Sequence, residues 1–226
     1  MKTAMILAAG RGERLRPITE QKPKALCTVH GIPLLAHHIT NLVRAGFNKL
    51  IINHAYLGGQ IRQYVGNGGR WGIEIHYSPE PPGGLETGGG IAQALHLLGT
   101  EPFLTVNADI HTDYKFADLS LPEHSLVHLV LVDKPAYSRQ GDFGLLGSRL
   151  INEDKHYTFT GIACYHPDFF RAAPIGRYSV APLWREAARK QQATGEVYSG
   201  RWFDIGSPER LLAANGLCSK TLLQIS

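Results

Sequence analysis

The sequence predicts an α/β fold, a mostly parallel sheet flanked by helices with a small β-hairpin lobe in its second half. Three observations predict it. Short apolar runs alternate with helix-like patterns up to residue 107, and hairpin-like runs follow between 143 and 165. A length of 226 residues with 43% hydrophobic content suffices for one sizeable core and leaves little room for two. The expectation is a single domain over 1–226, with 1–107 mainly for one ligand and 108–206 mainly for a second.

Residues 3–8 have the length and apolar content of a buried parallel strand. Pro33 then opens a helical pattern through Leu34, Leu35, Ile39, Leu42 and Val43, which Gly46 closes just past the end. A strand at 49–53, a helix around 56–65, a strand at 73–77, a loop rich in Pro and Gly, a helix near 91–98 and a strand at 103–107 complete three βα units. Beyond residue 108 the pattern gives a strand at 126–132, hairpin strands turning at Gly147 and Asp154, and helices near 179–193 and 208–217. There is no internal repeat and no low-complexity segment.

Several function classes are excluded. No run of about twenty apolar residues occurs and the N-terminus opens into a strand, so no membrane and a cytoplasmic location are expected. Cys27, Cys164 and Cys218 are odd in number and widely spaced, which fits neither a disulfide framework nor a zinc site. His37, His38, His76, His96, His124, His128 and His156 have no ligand spacing and read as packing or surface groups. Six Lys/Arg and two Glu lie in residues 1–30, which accounts for the whole formal excess of +4. With no Lys/Arg run interleaved with aromatics, this excess points to small phosphorylated ligands and not to nucleic acid.

That basic segment holds a glycine-rich loop directly after the first strand. Gly10 and Gly12 let the backbone turn and present N–H groups to anionic oxygens, while Arg14, Arg16, Lys22 and Lys24 supply cations. Leu15 stands where a dinucleotide fingerprint needs a small third glycine, and no Gly-Lys-Ser/Thr triplet closes a Walker loop. A solvated basic face is the alternative, but Pro17 and Pro23 stiffen the loop and favour an anion site.

Leu7 to Pro17, Thr19 and Pro23-Lys24 match Leu-Ala-Ala-Gly-x-Gly-x-Arg-Leu-x-Pro, Thr and Pro-Lys, the signature of the sugar-1-phosphate nucleotidylyltransferases, which this chain resembles over nearly its whole length. Many members carry Thr at the position of Glu13, and the Gly-Glu-Arg form looks most like the bacterial N-acetylmuramate α-1-phosphate uridylyltransferases of cell-wall sugar recycling. The resemblance implies a Rossmann-like nucleotidyltransferase fold, UTP and a sugar 1-phosphate as partners, Mg²⁺ as cofactor and no obligate protein partner. The expected fold has no C-terminal β-helix of the kind that many members carry. Other sugar and nucleotide pairs, such as mannose 1-phosphate with GTP or glucose 1-phosphate with UTP, stay open, as does a non-catalytic nucleotide-sugar-binding module.

Residue roles follow from the same resemblance. Ala9, Gly10, Gly12, Glu13 and Arg14 are expected to hold the triphosphate, with Lys24 the key cation at the α-phosphoryl group. Asn107-Ala108-Asp109 sits at the carboxyl end of a strand, where α/β sheets bind ligands, although an Asp there is also a common turn residue. The resemblance joins Asp109 to Asp204 of Trp202-Phe203-Asp204-Ile205-Gly206 as the Mg²⁺ ligands; spacing alone does not pair them. Lys24, Arg14 and Asp109 are the expected catalytic set. In the segment 81–90, Pro81 to Gly84 read as a mobile loop and 85–90 as binding, with the three glycines at a helix entrance, Gly88 near base and ribose, and Glu80 accepting from the uracil N3–H. Asp142 is expected to accept from sugar hydroxyls, with a hairpin-turn role as the alternative, and Asn53, Asn107, Thr160 and Gly161 to complete the sugar pocket.

Overall fold

Apolar residues point to both faces along the first strand. In β1 (Thr3–Leu7), Ala4 and Ile6 join one core cluster and Met5 the other, and in β4 (Lys49–His54) Leu50 and Ile52 part from Ile51 in the same way. A sheet buried on both faces explains why these strands read as continuous apolar runs, each enclosed Ile or Leu contributing about 1.5–3 kcal/mol. The computed structural model describes residues 2–216.

After β1 come the short helix α1 (Ile18–Gln21), the two-residue strands β2 (Thr28–Val29) and β3 (Ile32–Pro33), and α2 (Leu34–Arg44). Helix α2 buries Leu34, Leu35, Ile39 and Leu42, and ends where Gly46, at φ 83°, lets the Gly46 N–H reach the Val43 carbonyl and the Phe47 N–H reach Leu42. Then follow β4, α3 (Gly58–Val65), β5 (Glu74–Pro79), α4 (Glu86–Leu98) and β6 (Phe103–Asn107). The second half adds β7 (Ile110–Thr112), β8 (Val127–Asp133), the hairpin β9 (Gly144–Leu146) and β10 (Arg149–Ile151), β11 (Tyr157–Tyr165), α5 (Ala181–Arg189), β12 (Ala193–Val197), β13 (Trp202–Asp204) and α6 (Pro208–Ala214).

Nine strands form one sheet in the order β5-β4-β1-β6-β11-β8-β12-β10-β9, while β7 and β13 make a separate antiparallel ribbon. Strands β5, β4, β1 and β6 are mutually parallel, β11 runs antiparallel between β6 and β8, and β12 is parallel to β8. The hairpin turning at Gly147 extends this sheet as its edge.

Two elements depart from the sequence expectation. Helix α4 begins at Glu86, so Gly88, Gly89 and Gly90 lie inside it and not in front of it. Strand β12 has no continuous apolar run to announce it; its pairing with β8 sets Gly195 against the Leu129 carbonyl, 3.1 Å from where a Cβ would stand. The expected 208–217 helix ends at Ala214, and residue 217 and Cys218 lie outside the described residues; Cys27 and Cys164 are buried free thiols.

Candidate active site

From β1 the chain first moves outward to β4 and β5 and then returns to the other side of β1 as β6. The connection leaving β1 runs to β4 on one side and the connection leaving β6 runs to the β8 side, which opens a crevice at the carboxyl ends of these two neighbouring strands. A cavity of about 850 Å³ occupies it, and Ala9, Gly10, Glu13, Lys24, Asn107 and Asp109 all line its wall.

The glycine loop is fastened at both ends. At its start the Ala8 N–H donates to Asn53 Oδ1 at 2.7 Å. At its turn Gly12 has φ 73°, and its carbonyl accepts from the Leu15 N–H and from Thr19 Oγ1 at 2.8 Å. Leu15 is fully buried with Cys27, Val29, Leu34, Ile205 and Ala214, which explains a leucine where a dinucleotide loop has glycine: it plugs the loop into a satellite core.

Lys24 is 8% exposed, and its Nζ lies 2.6 Å from Asp109 Oδ2. A lysine so enclosed requires a counter-ion, and Asp109 is that group. The β7–β13 ribbon then supplies the link that spacing alone could not: Asp204 pairs with Ile110, and the Ile205 N–H donates to the Asp109 carbonyl at 2.9 Å. Asp109, just before β7, and Asp204, at the end of β13, thus lie at the same end of the ribbon; Asp109 lines the cavity, and Asp204 stands behind it and not among the lining residues. Arg210 Nη1 forms an ion pair with Asp204 Oδ2, and the Arg210 guanidinium rests 3.9 Å from the Tyr137 ring centroid.

The donor set fits Mg²⁺. Mg²⁺ takes one or two carboxylates together with phosphate oxygens and water, and two Asp at one end of the β7–β13 ribbon offer that without a closed protein cage. No cluster of three or more acidic, His or Cys ligands exists among the described residues.

Glu80 sits on the cavity wall with both oxygens engaged, Oε1 by Asn53 Nδ2 and Oε2 by the Leu85 N–H, each at 2.6 Å. Burial pushes its carboxyl upward from the usual range, against the opposing pull of those two donors. The same Asn53 holds Ala8, so its side chain, which lines the cavity, joins the glycine loop to Glu80.

Other expected site residues are used internally. The Gly88 N–H donates to the Tyr178 carbonyl, and a Cβ at Gly88 would lie 2.3 Å from the Tyr178 ring, so protein and not a flat ligand covers this glycine. Pro82, Gly83 and Gly84, assigned to a mobile loop, line the cavity, together with Glu86 and Thr87. Thr160 is 1% exposed and its Oγ1 donates to the Val130 carbonyl, which leaves no free group for a sugar. Gly161, at φ 90° beside a register shift in β11, packs against Asn107 and fixes that side chain. Asp142 Oδ2 accepts from the Phe159 N–H of β11 at 2.9 Å, a bond between distant segments and not a local turn contact.

Arg11, Tyr56 and Arg177 also line the cavity and carried no motif. Arg210 did leave a trace in the sequence: a cation in the first turn of a helix opposes the macrodipole unless a partner holds it there.

The family profile described as Nucleotidyl transferase matches residues 3–146. The chain belongs to the nucleotidyl transferase family. It is 46% identical over 224 residues to the N-acetylmuramate alpha-1-phosphate uridylyltransferase of Neisseria meningitidis serogroup B, covering 95% of this chain and 97% of that protein. A protein of the same description from Caulobacter vibrioides is 32% identical, with 94% and 95% covered. Among solved structures, a UDP-glucose pyrophosphorylase complexed with UDP-glucose shares the fold at a TM-score of 0.79 and 17% identity, over 96% of this chain and 97% of that one. This nucleotidyl transferase is therefore an enzyme of the sugar-1-phosphate nucleotidyltransferase group, with the mostly parallel α/β sheet of that group.

Proposed function

We propose that this nucleotidyl transferase converts UTP and N-acetylmuramate α-1-phosphate into UDP-N-acetylmuramate and pyrophosphate, in the cytoplasm, as a step of cell-wall sugar recycling. The observation that carries the chemistry is the buried Lys24 held on Asp109 at the carboxyl ends of β1 and β6, where a triphosphate would lie. Similarity to the Neisseria meningitidis uridylyltransferase over almost the full length of both chains supports the choice of base and sugar. No helix among the described residues is long and apolar enough to cross a membrane.

A phosphate oxygen of the sugar phosphate attacks the α-phosphorus of UTP in line; the bond to the β-phosphate oxygen breaks, and pyrophosphate leaves with its electron pair. The attacking oxygen is already anionic, so no strong base is required. The task is to hold two polyanions together and stabilise charge on the α-phosphoryl and leaving oxygens. The N–H groups of Gly10, Gly12 and Glu13 with Arg14 receive the triphosphate, and Lys24 moves from Asp109 to the α-phosphoryl oxygens. Bound Mg²⁺, which Asp109 and Asp204 would hold, supplies Lewis-acid neutralisation of phosphate charge. Glu80, oriented by Asn53 and Leu85, accepts from the uracil N3–H. Residues 1–107 serve mainly the nucleotide, and 108–206 the sugar phosphate and the metal.

Pyrophosphate release, measured with Mg²⁺, UTP or GTP and the 1-phosphates of N-acetylmuramic acid, N-acetylglucosamine, glucose and mannose, tests the proposal. Turnover confined to UTP with the muramic compound is expected. Turnover with another pair reassigns the sugar or the base, and saturable binding without turnover reassigns the chain to a binding module.

A further inference from the structure

In this structure each carboxylate assigned to the metal is already paired with a cation of the chain. Lys24 holds Asp109, and Arg210 holds Asp204 through an ion pair whose side chains are only 27% and 28% exposed. Arg210 lies in the first turn of α6, where the helix dipole opposes a positive charge, so the pair with Asp204 and the face of Tyr137 must compensate. Arg14 converges on the same point. The position a Cβ would take on Gly206 lies 2.9 Å from Arg210 Nη1, 3.1 Å from Arg14 Nη2 and 3.2 Å from Asp204 Oδ1. Two guanidinium groups thus border the Gly206 backbone beside this carboxylate, and Arg210 is the one that pairs with it.

We infer that Arg210 is the internal counter-ion of Asp204, and that it closes this carboxylate to free divalent cations until a nucleotide triphosphate draws the guanidinium away. The inference rests on the reading that Asp109 and Asp204 hold the metal. A divalent ion arriving alone must displace Arg210 from a half-enclosed pair and then sit beside Lys24, Arg14 and the displaced guanidinium. That arrangement gathers positive charge with no anion to offset it. An ion arriving on a triphosphate brings the acceptors that Lys24, Arg14 and Arg210 need, so the cations pass to phosphate oxygens as the metal takes the carboxylates. Arg210 is on this account a positioning residue, acting through Asp204.

The test titrates Mn²⁺ into the full-length, nucleotide-free enzyme and reads free Mn²⁺ by electron paramagnetic resonance. Arg210→Met, and Arg210→Gln as a second variant, should bind Mn²⁺ about fivefold more tightly than the unaltered enzyme, because the fraction of open Asp204 rises. Arg210→Lys, which keeps the charge, should stay close to the unaltered value. Adding Asp204→Asn to Arg210→Met should abolish the gain. Equal Mn²⁺ affinity with and without Arg210, while Asp204→Asn still weakens Mn²⁺ binding in the presence of UTP, would overturn the counter-ion role alone. Asp204→Asn with undiminished Mn²⁺ binding in the presence of UTP would remove the metal assignment and the inference with it.

Discussion

Lys24 shows how much a single enclosed charge can decide. Its ammonium group is almost fully covered, and the carboxylate that neutralises it belongs to a strand end far away in sequence. If its contact strengthens as charge develops on the α-phosphoryl oxygens, Lys24→Ala should lower kcat about 10²–10³-fold with a much smaller change in the KM for UTP. An unchanged kcat would strip it of that role. Glu80 offers a second residue-level test. Uracil presents a donor at N3 and cytosine an acceptor, so Glu80→Gln should reduce the preference for UTP over CTP about tenfold in kcat/KM. A preference that does not move would leave Glu80 as the fastener between Asn53 and Leu85. At this scale Lys24 and Asp109 were legible because a local motif and a strand end announced them. Arg210 and the internal use of Thr160 and Gly88 were not, since each depends on a partner that the fold brings from elsewhere.

Helix α2 does more than cover the sheet. His38 is buried on it, and its Nε2 lies 2.9 Å from the Ile110 carbonyl of β7, the strand that follows Asp109 directly. Burial pushes the His38 pKa down to about 4 from the ordinary 6.5, with the nearby His111 and His37 adding to the fall. Because the folded value lies below the unfolded one, the unfolded chain takes up the proton first as the pH falls, so stability is full above 6.5 and is lost toward 4. Urea unfolding should show His38 costing about 2 kcal/mol between pH 7 and pH 5, and His38→Gln should flatten the profile by that amount. An unchanged slope would mean that His38 takes up its proton as readily in the folded protein as in the unfolded chain. The bounds of α2 could be read from Pro33, its apolar spacing and Gly46. The start of α4 could not: Gly88 to Gly90 look like a helix breaker, and their tolerance inside the helix comes from Tyr178, Gly176, Glu80 and Asn53 packing where side chains would otherwise stand. Strand β12 escaped for a related reason, since its formation follows from pairing with β8 and not from its own apolar content.

For the molecule as a whole, two cores on opposite faces of one sheet fix the frame, and the ligand cavity opens where the strand order reverses about β1. That much follows from the alternation of strand and helix patterns, which is why the fold class and the binding edge were accessible from sequence. A ligand that joins two halves of such a frame stabilises all of it by mass action. UTP with Mg²⁺ at about 100 times the dissociation constant should add about 2.7 kcal/mol to the unfolding free energy. Mg²⁺ alone should add almost nothing, and calorimetric melts would check both. A comparable rise with Mg²⁺ alone would show that the carboxylates are open in the empty enzyme.

The Asn53 side chain touches the phosphate loop through Ala8 and the base-facing segment through Glu80. With the base at Glu80 and the triphosphate on the glycine loop, as proposed, this one amide would couple the two ends of the nucleotide mechanically. A base that pushes Glu80 aside also disturbs the cradle beneath the triphosphate, so a mismatch is felt at the reacting phosphorus. Fidelity in this enzyme would then be expressed as slower chemistry on the wrong nucleotide as well as weaker capture of it.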